Sequence, residues 1–119
     1  TVVAVLILYG LVTAAQAVAI SPEEQRKIEA LITHVGGMTD ARFIRNGKSY
    51  GPKTAAWFLR RKWEANREKV RTSREFIAEV ATRSSTTGIP YMIRFKDGKE
   101  VPCADYLMKL LERDEPPAR

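Results

Sequence analysis

A chain of 119 residues can build one domain but not two, and 20 Lys and Arg against 14 Asp and Glu give it a net charge of +6. Its single cysteine, Cys103, excludes an intramolecular disulfide framework, and its single histidine, His34, leaves any Ser/His or Cys/His mechanism that residue alone. No Gly-rich phosphate loop, no H-E-x-x-H and no cysteine pair at metal spacing occurs, so the sequence names no catalytic residue, no metal site and no cofactor.

The first twenty residues carry no charge. Val2, Val3, Val5, Leu6, Ile7, Leu8, Leu11 and Val12 form an apolar run, followed by small residues and two overlapping A-x-A sites, Ala15-Gln16-Ala17 and Ala17-Val18-Ala19. That order is an export signature, so residues 1–19 read as a signal peptide cleaved after Ala17 or Ala19. The basic n-region is missing and the chain starts at Thr1, which implies an upstream truncation. The alternative is a retained anchor, since twenty uncharged residues can just span a bilayer; Gly10, Gln16 and the alanines weaken it. Residues 20–113 then form one domain, and the proline-rich segment 114–119 reads as a disordered tail.

Ser21-Pro22-Glu23-Glu24 is a capping box that opens a first helix, with Ile28, Leu31, Ile32 and Val35 as its apolar stripe and Gly36-Gly37 as its end. Phe43-Ile44-Arg45 and Ser49-Tyr50 flank Asn46-Gly47, a hairpin turn in which both residues can take positive φ. A long helix is expected from about Lys53 to Val70, with Ala56, Leu59, Trp63 and Val70 inward, joined by Ala55 and Phe58, and Arg60 spaced to meet Glu64. Thr72-Ser73-Arg74-Glu75 is a second capping box for a helix that buries Phe76, Ile77, Val80 and Ala81 and dissolves in the hydroxyl run Ser84 to Thr87. Gly88 suits the left-handed residue that closes a helix. Tyr91–Phe95 and Lys99–Val101 form a second hairpin around Asp97-Gly98, and Pro102 starts a last helix with Cys103, Tyr106, Leu107, Leu110 and Leu111 inward. The order α, hairpin, α, α, hairpin, α predicts an α+β domain of about four helices and a small antiparallel sheet from two short hairpins.

Between Lys53 and Arg74, eight cations face two glutamates, a balance of +6. Nucleic acid is the usual partner of such a face, but export argues against it and points to anionic envelope material or a protein partner. Contact with membrane is expected only through the signal segment before cleavage. The four hydroxyls before Gly88 exceed what a helix end needs, so Ser84 or Ser85 is expected to hydrogen-bond the Arg45-Asn46-Gly47 turn beside Lys62 and Tyr91. An arginine, an amide and hydroxyls could cradle an anion, or simply lock the hairpin to the helices; both readings stay open. The enzymatic alternative is a Ser/Lys hydrolase acting on envelope material, with Ser84 or Ser85 activated by a desolvated Lys62. Cys103 reads as a small buried apolar residue, and His34 as a surface residue near a helix C-terminus. The oligomeric state is left open.

Phe43-Ile44-Arg45-Asn46-Gly47 with Tyr50, the Ala56, Leu59 and Lys62 pattern, and above all Phe76-Ile77 through Ala81-Thr82-Arg83-Ser84-Ser85-Thr86-Thr87-Gly88-Ile89-Pro90-Tyr91 resemble the YfeK-like family of short exported bacterial proteins of unknown function. The resemblance runs from about Ser21 to Arg113. It implies a periplasmic or secreted single domain and brings no activity or catalytic residue with it. A cysteine that some relatives carry just after the R-N-G turn is absent here, so no thiol chemistry is carried over.

Overall fold

The computed structural model describes residues 19–115; residues 1–18, which hold most of the expected signal peptide, and the last four residues lie outside the described residues. The elements follow the expected order: α1 (Pro22–Gly36), β1 (Arg42–Arg45), β2 (Lys48–Tyr50), α2 (Pro52–Ala65), α3 (Ser73–Glu79), β3 (Met92–Arg94), β4 (Glu100–Pro102) and α4 (Cys103–Asp114), with a single 3₁₀ turn at Arg67–Lys69. Among the described residues no helix is long and apolar enough to cross a membrane.

Both capping boxes form only by half, and the free carboxylate of the first builds tertiary structure. Ser21 Oγ accepts from the Glu24 amide at 3.1 Å. The Glu24 carboxylate does not return to Ser21; it accepts from Ser73 N at 2.6 Å and Ser73 Oγ at 2.9 Å, tying the start of α1 to the start of α3. The Ser73 amide therefore holds the Glu24 carboxyl below its ordinary value. At the second box Thr72 Oγ1 accepts from Glu75 N, while Glu75 accepts from Arg71 N, one residue before the expected donor.

α2 ends at Ala65 rather than Val70. The Asn66 side chain donates to Lys62 O at 2.7 Å, the carbonyl that a continuing helix would give to the Asn66 amide, and that amide turns to Trp63 O. Val70 still reaches the core, but from outside the helix. Arg60 bypasses Glu64 and forks onto Glu29 of α1 at 2.8 and 2.7 Å, because a bidentate carboxylate across the helix pair outcompetes a single i,i+4 contact. α3 stops at Glu79, five residues before the hydroxyl run, where Thr82 Oγ1 caps Ile77 O at 2.7 Å. Gly88 is left-handed (φ +75°), yet it closes a loop rather than a helix: its amide donates to Ser84 O at 2.9 Å.

The two hairpins join into one antiparallel sheet in the order β2-β1-β3-β4. Asn46 (φ 51°) and Gly47 (φ 78°) make the predicted turn. The register aligns Tyr50, Phe43, Ile93 and Val101 across the four strands. Phe43 and Ile93 in that row are buried against the helices, where Leu59, Trp63, Phe76, Leu107 and Leu110 complete the expected core. Trp63 and Phe76 meet edge to face at 5.9 Å.

Two local expectations change. His34 is half-buried rather than solvated, with Nε2 2.8 Å from the Tyr106 hydroxyl, because α4 crosses the last turn of α1 there. α4 runs through Asp114, and Glu115 pairs with Arg74 at 2.7 Å and Lys27 at 3.6 Å, so the ordered domain extends past residue 113.

Candidate functional site

The turn of the first hairpin and the hydroxyl loop after α3 are in contact. Asn46 Nδ2 donates to Ser84 Oγ at 3.2 Å, and Asn46 Oδ1 accepts from Thr87 Oγ1 at 2.6 Å, so one amide is gripped at both ends. Ser84 is 2 % exposed, and its hydroxyl is also 3.0 Å from Thr86 Oγ1. Thr87 Oγ1 in turn accepts from the Ile89 amide. Ser85, the other predicted serine, is exposed and makes no side-chain hydrogen bond among the described residues. It points away because the loop folds over Ser84, whose amide pairs with Ile89 O.

Lys62 closes the loop from the helix side. Its ammonium donates to Arg83 O at 2.7 Å and to the Tyr91 hydroxyl at 3.0 Å, and lies 4.9 Å from the centre of the Tyr91 ring. Arg45 stands one residue before Asn46, with its guanidinium 5.1 Å from the centre of the Phe58 ring. It forms no side-chain hydrogen bond or ion pair among the described residues.

These side chains surround a cavity. A bond from Cys103 N to Tyr91 O continues the β3–β4 ladder by one pleat, so Arg45, Tyr91 and Cys103 sit at one end of the sheet on the face that carries Phe43 and Ile93. Opposite them α2 presents Ala55, Phe58, Leu59 and Lys62, spaced i, i+3, i+4 and i+7 on one helical face. Between helix and sheet lies a cavity of about 50 Å³, lined by these residues with Phe43, Ile44 and Tyr50, and no acidic side chain is among them. At 10–15 Å³ for each water centre, that is room for roughly three to five atoms of solvent size. Cys103 is 2 % exposed, and burial pushes its thiol up to about 12, so it is wall rather than nucleophile.

The surrounding charge is uneven. Of the eight cations from Lys53 to Arg74, Arg60 pairs with Glu29, and Arg74 with Glu112 and Glu115. The other six meet no carboxylate within ion-pair distance among the described residues. Arg61 and Arg67 instead lie over the rings of Trp57 and Trp63, and Trp57 is 55 % exposed. No group of His, Cys, Asp and Glu among the described residues could hold a metal ion.

Of the predicted site residues, Arg45, Lys62 and Tyr91 line the cavity, Asn46 and Ser84 form the clamp beside it, and Ser85 joins neither. Sequence reasoning missed Thr87 as the second grip on Asn46, and it missed the apolar walls. The signal for the walls was present: Ala55 and Phe58 join Leu59 on the apolar face of α2, and Phe43, Arg45 and Tyr50 alternate on the hairpin toward one face.

Fold and site together define a small α+β domain with an apolar pocket flanked by cations. The chain belongs to the family of unknown function DUF5329, whose model matches residues 22–115. It is similar to the "Uncharacterized protein YfeK" of Salmonella typhimurium, 33 % identical over 72 residues, which bears out the family resemblance. The match covers 60 % of this chain and 60 % of that protein, so the chain spans about three-fifths of the curated relative. No solved structure matches.

Proposed function

We propose that this domain is a non-enzymatic binding module, exported to the periplasm or beyond, that takes up an anionic component of the cell envelope. The observation that carries the reading is the pair Arg45 and Lys62, two cations beside an apolar pocket with no acidic lining residue. Low-dielectric walls strengthen the field of nearby charges, so an anion there gains more than it would on open surface. The Asn46–Ser84–Thr87 clamp is the scaffold of this site. Its hydroxyls are already bonded to one another and to the amide, and their work is to fix the turn that carries Arg45.

The same geometry favours binding over Ser/Lys hydrolysis. Ser84 is buried in the clamp, and the Lys62 ammonium is directed at Arg83 O and the Tyr91 hydroxyl. A serine nucleophile needs its hydroxyl exposed to substrate and bonded to its base.

Native mass spectrometry of protein recovered from periplasm tests the reading. The wild type should carry an anionic adduct that the Arg45→Gln/Lys62→Gln variant has lost. An identical adduct on both proteins would contradict it, and a retained protein in place of an adduct would move the domain to the interaction modules. Export is tested by intact mass: the secreted product should begin at Val18 or Ile20, and retention of residues 1–17 in a membrane fraction would make the segment an anchor.

A further inference from the structure

The cavity between α2 and the sheet end is apolar on its walls and cationic at its edge, and that asymmetry constrains a ligand more than charge alone. Phe43, Ala55 and Leu59 are each less than a tenth exposed and contribute only carbon, while Arg45, Lys62 and Tyr91 are the lining residues whose side chains end in polar groups. A purely ionic ligand would leave this apolar volume unused. A long acyl chain would exceed it, since a cavity of about 50 Å³ admits only a ring or a short branched group.

We infer that the pocket takes a small organic anion bearing one compact apolar group, an aromatic or short branched carboxylate, with the group between Phe43, Ala55 and Leu59 and the carboxylate at Arg45 and Lys62. The inference rests on the anion-binding reading above and adds the ligand's shape. Arg45 lies over Phe58 without an ion pair, so its guanidinium has its fork of donors available to a carboxylate. Lys62 is held by Arg83 O and the Tyr91 hydroxyl and adds a fixed second charge. Ala55 is the smallest wall residue on α2, so a larger side chain there would take up pocket volume.

Amide NMR titration of the purified protein with acetate, phenylacetate, benzyl alcohol and decanoate tests this. Burying a ring should make phenylacetate bind about tenfold or more tighter than acetate. Benzyl alcohol, with the ring but no charge, should bind about tenfold more weakly than phenylacetate, and decanoate should gain nothing over phenylacetate. Ala55→Leu, which fills the pocket from α2, should reduce phenylacetate to the level of acetate; Cys103→Leu does the same from the sheet side should the first variant misfold. If acetate and phenylacetate bind equally and both respond to Arg45→Gln, the apolar inference falls while the anion reading survives. If no acid perturbs the amides around Arg45 and Lys62, both fall. Benzyl alcohol matching phenylacetate, or decanoate far exceeding it, would also overturn the proposal.

Discussion

The two ends of α2 are built on opposite principles. At its C-terminal end, where α2 meets α1 and α3, Trp63 packs edge to face on Phe76, and two carboxylates are committed: Glu24 to Ser73, Glu29 to Arg60. Toward the sheet end, Phe58 and Leu59 face a cavity, and the Arg45 side chain has neither hydrogen bond nor ion pair among the described residues. Folding alone rewards filled volume and satisfied charge. A region that keeps an apolar void lined by two cations and no carboxylate departs from that rule locally, and such departures concentrate where a protein binds something.

The packed end has one loose thread. Trp63 Nε1 is buried with no acceptor among the described residues, and the Arg67 guanidinium covers the ring at 4.3 Å. An unpaired buried donor costs about 1–3 kcal/mol, so the junction is well packed rather than optimal.

The largest effect should come from the packed end. Phe76→Ala removes a fully buried ring from under Trp63 and should cost about 3–5 kcal/mol in chemical denaturation, a large share of a small domain's stability. A loss under about 1 kcal/mol would break the contrast between a tight and an open end.

Glu24 comes next. Glu24→Ala strands the amide and hydroxyl of the buried Ser73 and should cost about 1–3 kcal/mol. Because the folded carboxyl is held below its ordinary value of 4.5, chiefly by the Ser73 amide, its contribution is present above that value. It is lost as pH falls through the depressed folded value. Stability measured down through the acid range should therefore fall less steeply in the alanine variant than in the wild type, and parallel curves would show that Glu24 is not linked to folding.

The clamp should show a smaller, position-specific effect. Ser84→Ala leaves the Asn46 amide without its acceptor and should cost about 1–2 kcal/mol, whereas Ser85→Ala should stay within about 0.5 kcal/mol. Equal effects at the two serines would mean that the loop is held by its backbone alone.

How far this was readable from the sequence follows the same divide. The packed end was legible, because helical stripes such as Ile28, Leu31 and Val35 and the Asn46-Gly47 turn act through period and local conformation. The meeting of Ser84 with Asn46 was also foreseeable, since four consecutive hydroxyls exceed a helix end's needs. Which hydroxyl acts was not, because Ser84 and Ser85 differ only in how the loop folds over them. The early ends of α2 and α3 depended on single side chains, Asn66 and Thr82, taking a backbone carbonyl, a competition that apolar periodicity does not register. The pocket depended on register: only the pairing of β1 with β3 brings Arg45 and Tyr91 to the same end of the sheet.

The central claim is that Arg45 is kept for a ligand and not for the fold. Arg45→Gln, measured by denaturation and by phenylacetate titration of the same preparation, addresses it directly. The account predicts a stability change within about 1 kcal/mol, since only the contact of its guanidinium with the Phe58 ring is lost, together with about a tenfold or greater drop in affinity. A destabilisation above about 2 kcal/mol with unchanged affinity would make Arg45 a structural residue and contradict the account.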